Sequence, residues 1–366
     1  MALISQIAGS ILVVYAFLDL FLTILYARSG TGILAPYLTN GVWRIFRGAA
    51  RVLSKYRDSI LSYSGPTILV ILSVVWALLY VVGFALICWP ELGSAITASK
   101  GATPTDFTSA LYYSGYTFTT LGTGDLVPQT GLYRVLMFVE AALGFSFFTL
   151  IITYILSIYE TIRQRNAFAL MLHHKTDATG DANVFISRMA SGGNLSDVVG
   201  QIYKISEHIS IIIEMHQLYP ILHYFRFKKS YYAIPRMILI ALDSASLIKS
   251  ALDPEKHRAI VKSAAVSELW KASTHLIHTL TVEFIPDKYY LKRVTSDETI
   301  QQWRKHYNNL ARKLSGEGIH TRQDVDAGLQ EYISLRKEWN PYIDALSEWM
   351  LYEAEIEMRD SMLFQK

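Results

Sequence analysis

Cysteine is nearly absent from the 366-residue sequence, where Cys88 stands alone. An intrachain disulfide is therefore excluded, and so is a metal site built from cysteines. The net charge of +3 is small and the charges of the second half are balanced, which argues against nucleic-acid binding. No Gly-x-Gly-x-x-Gly string and no β-α-β pattern occurs, so no nucleotide-binding domain of that type is predicted. No nucleophile is paired with a base, so we predict no enzyme and no cofactor.

Charged residues are scarce in residues 1–159, which hold eight of the 34 Lys/Arg and six of the 31 Asp/Glu. The N-terminus also lacks the basic flank and cleavage site of a signal peptide, so we expect its apolar run to be retained. A hydrocarbon core of about 30 Å takes about 20 helical residues to cross. Three apolar stretches reach that length: Leu3–Ala27, Pro66–Trp89 and Gly131–Tyr159.

Basic residues predict the orientation in the membrane. The connection over 28–65 carries five arginines, among them Arg28, and Lys55 against Asp58 alone, whereas 90–130 has no positive excess. By the positive-inside rule, 28–65 and the C-terminal half are cytosolic, and the N-terminus lies outside a cell membrane that the chain crosses several times. Apolar residues at helical spacing over 42–61 predict a helix on the inner membrane surface. An ordinary basic linker remains the alternative there.

Residues 105–128, between the second and third spans, are different in kind. They are rich in Thr, Tyr and Gly and contain Leu-Gly-Thr-Gly-Asp. Non-helical backbone at membrane depth survives only when it is buried in protein or faces a water-filled cavity. A short helix followed by a glycine-rich strand, placed between two spans, therefore predicts a re-entrant pore loop.

The stretch 108–128 reads TSALYYSGYTFTTLGTGDLVP. It resembles the pore signature of tetrameric potassium channels, T-x-x-T-x-G-Y-G-D after a short aromatic pore helix, and the likeness extends over about 68–160. The matching residues are Thr117, Thr120, Gly122, Gly124 and Asp125. The resemblance implies a homotetramer in the lipid bilayer that passes cations passively and holds no metal beyond the permeant ion. It implies a selectivity filter of Thr120, Leu121, Gly122, Thr123 and Gly124.

One filter position departs from the family. Thr123 stands where relatives carry Tyr or Phe, and we expect Tyr112, Tyr113 and Tyr116 to fill the space. Tyr116 itself stands where many relatives have a carboxylate that pairs with Asp125, so that brace is not expected. Potassium is the first choice of ion, and a weakly selective sodium/potassium channel stays open. A non-conducting, membrane-anchored signalling or scaffold subunit is the alternative from another class.

The third span is expected to line the pore. Gly144 lies where relatives often have a hinge glycine, with close helix packing as the alternative. One face is predicted to line the cavity, with Ile152 or Leu156 as an apolar constriction: Phe148, Ile152, Leu156 and Glu160. Glu160 is either a cation-concentrating ring or a solvated helix end. Glu140 is expected to brace the filter through a pore-helix hydroxyl such as Tyr116, and Asp19 to meet a partner helix, unless both are plain structural contacts.

The C-terminal half has helical signals throughout and resembles no domain that we recognise. Ile234–Ile248 is predicted as a buried core helix, and Asp253-Pro254 as the start of a helix that runs to Phe284. The whole chain is thus predicted as an all-α membrane protein: three transmembrane helices with a re-entrant pore helix and filter, then a helical cytosolic domain with an unknown cytosolic ligand. The predicted divisions are 1–30 (extra helix), 31–65 (basic linker), 66–160 (pore domain) and 161–366 (cytosolic domain).

Overall fold

The computed structural model describes residues 2–26, 32–191, 195, 197–290 and 295–352. The end of the first predicted span at Ala27, together with Arg28, lies outside these residues. The protein is an all-α membrane protein, and three of the described helices are long and apolar enough to cross a membrane. It forms two compact units. We call residues 1–48 and 63–160 the N-terminal unit, and residues 49–62 and 161–366 the C-terminal unit.

The first part of the chain supplies six helices and a two-stranded antiparallel sheet. Strand β1 (Ile96–Ala98) pairs with β2 (Leu126–Pro128), with Thr97 opposite Val127. The helices are α1 (Ala2–Leu20), α2 (Ala35–Val52), α3 (Arg57–Ser62), α4 (Ser64–Cys88), α5 (Phe107–Phe118) and α6 (Gly131–Lys175).

Helix α1 packs closely along α4 in the N-terminal unit. Gly9 and Gly83 lie at the crossing, where the backbones approach so closely that a Cβ on Gly9 would overlap with the carbonyl oxygen of Gly83. Small residues allow such approach between membrane helices, where dispersion contacts and hydrogen bonds drive association. Ser5 adds a hydrogen bond from its hydroxyl to the carbonyl oxygen of Leu86, at 2.7 Å. The first span is therefore docked on the second.

Asp19 lies fully buried near the other end of α1. Its Oδ2 accepts a hydrogen bond from the indole Nε1 of Trp76 on α4, at 2.7 Å. Its Oδ1 accepts from the backbone amides of Ile33 and Leu34, just before α2, at 2.5 and 2.6 Å. An ionisable group at membrane depth is costly unless it faces protein partners. The expected meeting of Asp19 with a partner helix is confirmed.

One predicted helix was wrong, and another helix is longer than its predicted span. Residues 42–61 do not form one helix, because α2 ends at Val52 and Leu53 has a non-helical ψ of 59°; a 3₁₀ turn then precedes α3. The helix of the third span continues beyond the apolar stretch 131–159, since α6 ends only at Lys175. Neither glycine nor proline occurs in 160–175, so nothing in the chain interrupts the hydrogen-bond ladder there.

The described residues of the C-terminal unit add seven helices. These are α7 (Ala182–Ala190), α8 (Val198–Leu218), α9 (Ile234–Ala251), α10 (Arg258–Val261), α11 (Ala264–Phe284), α12 (Asp297–Gly316) and α13 (Val325–Trp349). Every residue of α9 except Lys249 is buried, and α9 packs against both α11 and α13. A helix that is apolar on all sides belongs in a protein core. The prediction of a buried core helix over 234–248 is confirmed.

The helix predicted from Asp253 to Phe284 is interrupted. Asp253 Oδ1 accepts from the amides of Glu255 and Lys256, at 2.9 and 3.0 Å, which holds a turn. The long helix α11 starts only after Ser263, whose Oγ accepts from the amide of Val266. Both residues are good N-caps by type, so the sequence pattern alone does not say which of them begins the long helix.

A buried polar network ties α9 to α12 and α13. Asp243 Oδ2 lies 2.9 Å from His306 Nε2, and its Oδ1 accepts from the hydroxyl of Tyr332 at 2.7 Å. Arg336 donates to the Tyr332 hydroxyl at 2.8 Å and lies 3.6 Å from Asp243. Burial alone would raise the pKa of Asp243, but Arg336 and His306 outweigh it and lower that pKa to about 2. Burial lowers the pKa of His306, yet the Asp243 carboxylate outweighs burial, and the pKa of His306 is raised.

The raised pKa predicts how substitution of His306 depends on pH. A group whose pKa is higher in the folded state stabilises fully below its unfolded pKa of about 6.5, and that contribution is lost as pH rises through the folded value. We therefore expect His306→Gln to lower the free energy of unfolding by about 1–3 kcal/mol at about pH 6, and by less at alkaline pH. The measurement is thermal unfolding of the full chain in detergent across this range. Exposed His275 offers the matched control His275→Gln, and an equal loss for His306→Gln at every pH would contradict the prediction.

Candidate functional site

Helix α5 has the position expected of the short helix in the pore loop. Its N-cap is Asp106, which accepts from the amide of Ser109 at 3.0 Å and from its hydroxyl at 2.8 Å. It ends at Phe118, with Thr119 as C-cap. The carbonyl end of a helix carries partial negative charge, so the end of α5 favours a cation beyond it. The prediction of a helix that ends near Thr119 is confirmed.

The backbone after α5 alternates in handedness. Thr120, Gly122 and Gly124 have positive φ angles of 57°, 61° and 73°, whereas Leu121 and Thr123 do not. Alternation of right- and left-handed residues aligns successive amide groups along one side of a chain. In a chain segment of this kind the carbonyl groups project from the opposite side. We call residues 120–124 the strand, which is separate from the sheet of β1 and β2. Its backbone has the form that a row of oxygen ligands requires.

Hydrogen bonds distinguish the two sides of this strand. The amides of Leu121 and Gly122 both donate to the carbonyl oxygen of Tyr116, at 2.9 and 3.4 Å. Within the described part of the chain, no backbone amide donates to a carbonyl oxygen of residues 120–124. All five residues are exposed in the single subunit, and a Cβ added at Gly122 or Gly124 would meet no atom within 4 Å. The glycines are therefore required by the backbone angle and not by packing.

The sequence reasoning missed a brace on the strand. The hydroxyl of Tyr112 donates to Asp125 Oδ2 at 2.6 Å and lies 3.2 Å from Thr123 Oγ1. The position of the usual carboxylate is occupied by Tyr116, as expected, but Tyr112, one helical turn earlier, reaches the same aspartate. Helix α5 carries three tyrosines, and only side-chain direction decides which of them reaches Asp125. The short Thr123 leaves room for the Tyr112 hydroxyl.

The other two tyrosines pack behind the strand. Tyr116 is buried and donates to the carbonyl oxygen of Leu126 at 2.5 Å, which ties α5 to β2. Tyr113 is also buried, and its ring centroid lies 5.4 Å from that of Tyr116. Thr117 is buried too, and its hydroxyl donates to the Tyr113 carbonyl within α5. That these tyrosines fill the space of the aromatic filter residue of relatives stays a prediction.

Glu140 braces α5 through a different hydroxyl from the one expected. Its carboxylate is fully buried and is hydrogen-bonded to Ser114 Oγ, not to Tyr116. Ser114 Oγ also lies 2.9 Å from the carbonyl oxygen of Val81 on α4. The expected hydrogen bond to a hydroxyl of α5 is confirmed, but Tyr116, the example named, is not the donor, because that hydroxyl is directed at Leu126. One serine thus joins α4, α5 and α6.

Gly144 lies where α6 passes the end of α5. A Cβ at this position would overlap with the carbonyl oxygen of Phe118. Of the two alternatives that the sequence left open, close packing accounts for the glycine, and the hinge stays a prediction. The rings of Phe118 and Phe148 lie next to this contact, with their centroids 5.7 Å apart.

Beyond Gly144, the predicted face of α6 is exposed in the single subunit. Phe148, Ile152 and Leu156 are 41%, 60% and 65% exposed, and Glu160 is exposed as well. The intervening residues Ile151, Tyr154 and Ile158 are buried. The helix therefore has one face against its own chain and another that is open to a neighbouring subunit, a lipid or a pore.

Residues 68–161 match the family model described as "Ion channel". We call them the ion-channel segment; they run from α4 through α5 and the strand to α6. A membrane protein of Bacillus subtilis (strain 168), the uncharacterized YdjJ, is 28% identical over 222 residues, which cover 60% of this chain. The chain spans 62% of that relative's length. No solved structure matches the chain.

The close contact at Gly144 in the ion-channel segment leads to a stability prediction. Gly144→Ala should destabilise the protein by about 1–3 kcal/mol, because the methyl group forces α6 away from Phe118. Gly41→Ala on α2 is the matched control, since a Cβ there meets no atom within 4 Å. That variant should be neutral or stabilising by up to about 1 kcal/mol, as alanine is the better helix former. Thermal unfolding in detergent compares them, and equal stabilities would show that α6 is not packed as described.

Proposed function

We propose that the chain is one subunit of a homotetrameric cation channel, with residues 120–124 as its selectivity filter. The observation that carries this proposal is the alternating left-handed backbone of Thr120, Gly122 and Gly124. A dehydrated cation needs oxygen ligands in place of its water, and rings of backbone carbonyls from four subunits supply them. The ion-channel match over 68–161 supports the same reading.

Potassium is the proposed permeant ion. The hydroxyl of Tyr112, held by Asp125, supports the strand from the side at Thr123, where the related channels use an aromatic ring. Tyr116 and Tyr113 close the space behind it. This lateral support keeps the ring of backbone carbonyl oxygens from the four subunits narrow enough to distinguish potassium from sodium. A weakly selective sodium/potassium channel is the second candidate, and the smaller side chain of Thr123 favours it.

The exposed face of α6 is the proposed pore lining. Four copies of Ile152 or Leu156 around the axis form an apolar constriction that closes by dewetting. Four copies of Glu160 at the inner mouth raise the local cation concentration. The excess of basic residues in 28–65 and after the third span supports a cytosolic position for these segments in the cell membrane, with the N-terminus outside. The C-terminal unit then controls the pore from the cytosol through α6.

A single methyl group at Gly122 tests the filter. In Gly122→Ala, the side chain must adopt a left-handed backbone at a cost of about 1–2 kcal/mol in every subunit, or the strand must turn its carbonyl away. We expect potassium flux into proteoliposomes to fall at least about tenfold. Gly101→Ala is the matched control, because Gly101 also has positive φ, at 75°, and open space around it, but lies outside the strand.

Flux should survive in Gly101→Ala. Equal flux from the wild type, Gly101→Ala and Gly122→Ala would show that residues 120–124 are not the selectivity filter. No flux from the folded wild type under any ionic condition would favour the non-conducting signalling or scaffold subunit.

The Tyr112 brace predicts a change in selectivity. Tyr112→Phe removes the hydroxyl that holds Asp125 and Thr123 and leaves the ring in place. We expect the potassium/sodium permeability ratio, measured from reversal potentials under bi-ionic conditions, to fall severalfold with the pore still open. Tyr37→Phe, at an exposed tyrosine on α2, should leave the ratio unchanged. A wild-type ratio near one, which Tyr112→Phe does not alter, would establish the weakly selective alternative.

A further inference from the structure

Three helices of the C-terminal unit form a basic cleft at the end of α6. Helix α6 contributes His174 and Lys175, α7 contributes Arg188, and α8 contributes Gln201. The cleft has a volume of about 430 Å³, within the range of small-molecule sites. It is open to solvent, and most of its lining is polar. Its size and exposure suit a small soluble ligand or a single head group.

The charge of this cleft is only partly compensated. Lys175 Nζ donates to the neutral Gln201 Oε1 at 2.9 Å. Burial lowers the pKa of Lys175, and the nearby charge of Lys204 on α8 lowers it further. Arg188 pairs with Asp177 at 3.2 Å, but both side chains are more than half exposed, and such surface pairs contribute little. A bound anion would relieve the repulsion between the two lysines.

The floor of the cleft is apolar. Phe185 is buried beneath it and Met189 is half-buried beside it, both on the face of α7 that carries Arg188. Phe185, Arg188 and Met189 follow the spacing of three and four residues that places side chains on one helical face. The cleft therefore combines cationic donors with an apolar surface. A bare inorganic ion would bind the cationic donors and leave the apolar surface in contact with water.

We propose that this cleft binds a small phosphorylated organic anion. Lys175 and Arg188 hold the phosphate, as charge-assisted donors do, and Phe185 and Met189 contact the organic part. His174 and Lys175 are among the last residues of α6, so a ligand in this cleft acts on the C-terminal end of that helix. The first part of the same helix lies in the ion-channel segment. The binding itself does not rest on the proposed channel function, because it is measured without flux.

Calorimetric titration of the full chain in detergent tests the site. The probes are inorganic phosphate and adenosine monophosphate, and we expect saturable binding that is tighter for the organic phosphate. Lys175→Gln should weaken it about tenfold, as loss of one charge-assisted contact does. Lys271→Gln, at an exposed lysine of α11, should bind within about twofold of the wild type. Thermal unfolding confirms that each variant is folded.

A second arm distinguishes a soluble ligand from a lipid head group. The same titration is repeated in nanodiscs of phosphatidylcholine with and without phosphatidic acid. If the head group occupies the cleft, phosphatidic acid weakens the binding of adenosine monophosphate to the wild type; if the ligand is soluble, the two lipid compositions give one affinity. Absence of saturable binding with both probes, or an equal affinity in the wild type and Lys175→Gln, would overturn the proposal.

Discussion

A backbone carbonyl at membrane depth must find a donor, water or a cation, and this requirement organises the N-terminal unit. On the amide side of the strand after α5, the amides of Leu121 and Gly122 donate to the carbonyl oxygen of Tyr116. The carbonyl side receives no backbone amide among the described residues. An unpaired carbonyl in hydrocarbon costs several kcal/mol, and in the proposed channel this side faces the ion path.

The two carboxylates within the apolar spans, Asp19 and Glu140, hold neighbouring helices together and do not face lipid. Glu140 is hydrogen-bonded to Ser114 and so fixes α5 against α6. Asp19 accepts from Trp76 and from the amides just before α2, and joins α1 to α4 at the start of the next helix. Each group is fully buried. In a medium without water, a carboxylate with several donors, as Asp19 has, holds a helix packing more specifically than apolar contacts can.

Much of the site could be predicted because its signals are local. The end of α5 near Thr119 and the glycines at 122 and 124 follow from residue type and spacing. The brace by Tyr112 could not, because Tyr112, Tyr113 and Tyr116 are chemically alike, and only the tertiary direction of each ring decides which one reaches Asp125. The partner of Glu140 was missed for the same reason.

Helix boundaries show the same division between local and tertiary information. Ser296 caps α12 as its type predicts, since its hydroxyl accepts from the amide of Thr299. Asp253 has equally good capping chemistry, but it holds a turn, and Ser263 begins the long helix. The break at Leu53 has no glycine or proline to mark it. At such positions packing decides between conformations that differ little in intrinsic free energy.

The alternating backbone of residues 120–124 has a consequence for chirality. The strand is built from L residues and glycine, yet every second residue adopts the conformation that a mirror-image amino acid prefers. Thr120, which has a Cβ, carries a strain of about 1–2 kcal/mol there, and the glycines avoid it. A D-amino acid at position 122 or 124 would keep the backbone, whereas at position 121 or 123 it would reverse the local fold. Reporter groups introduced by chemical synthesis therefore have two natural attachment points within the strand.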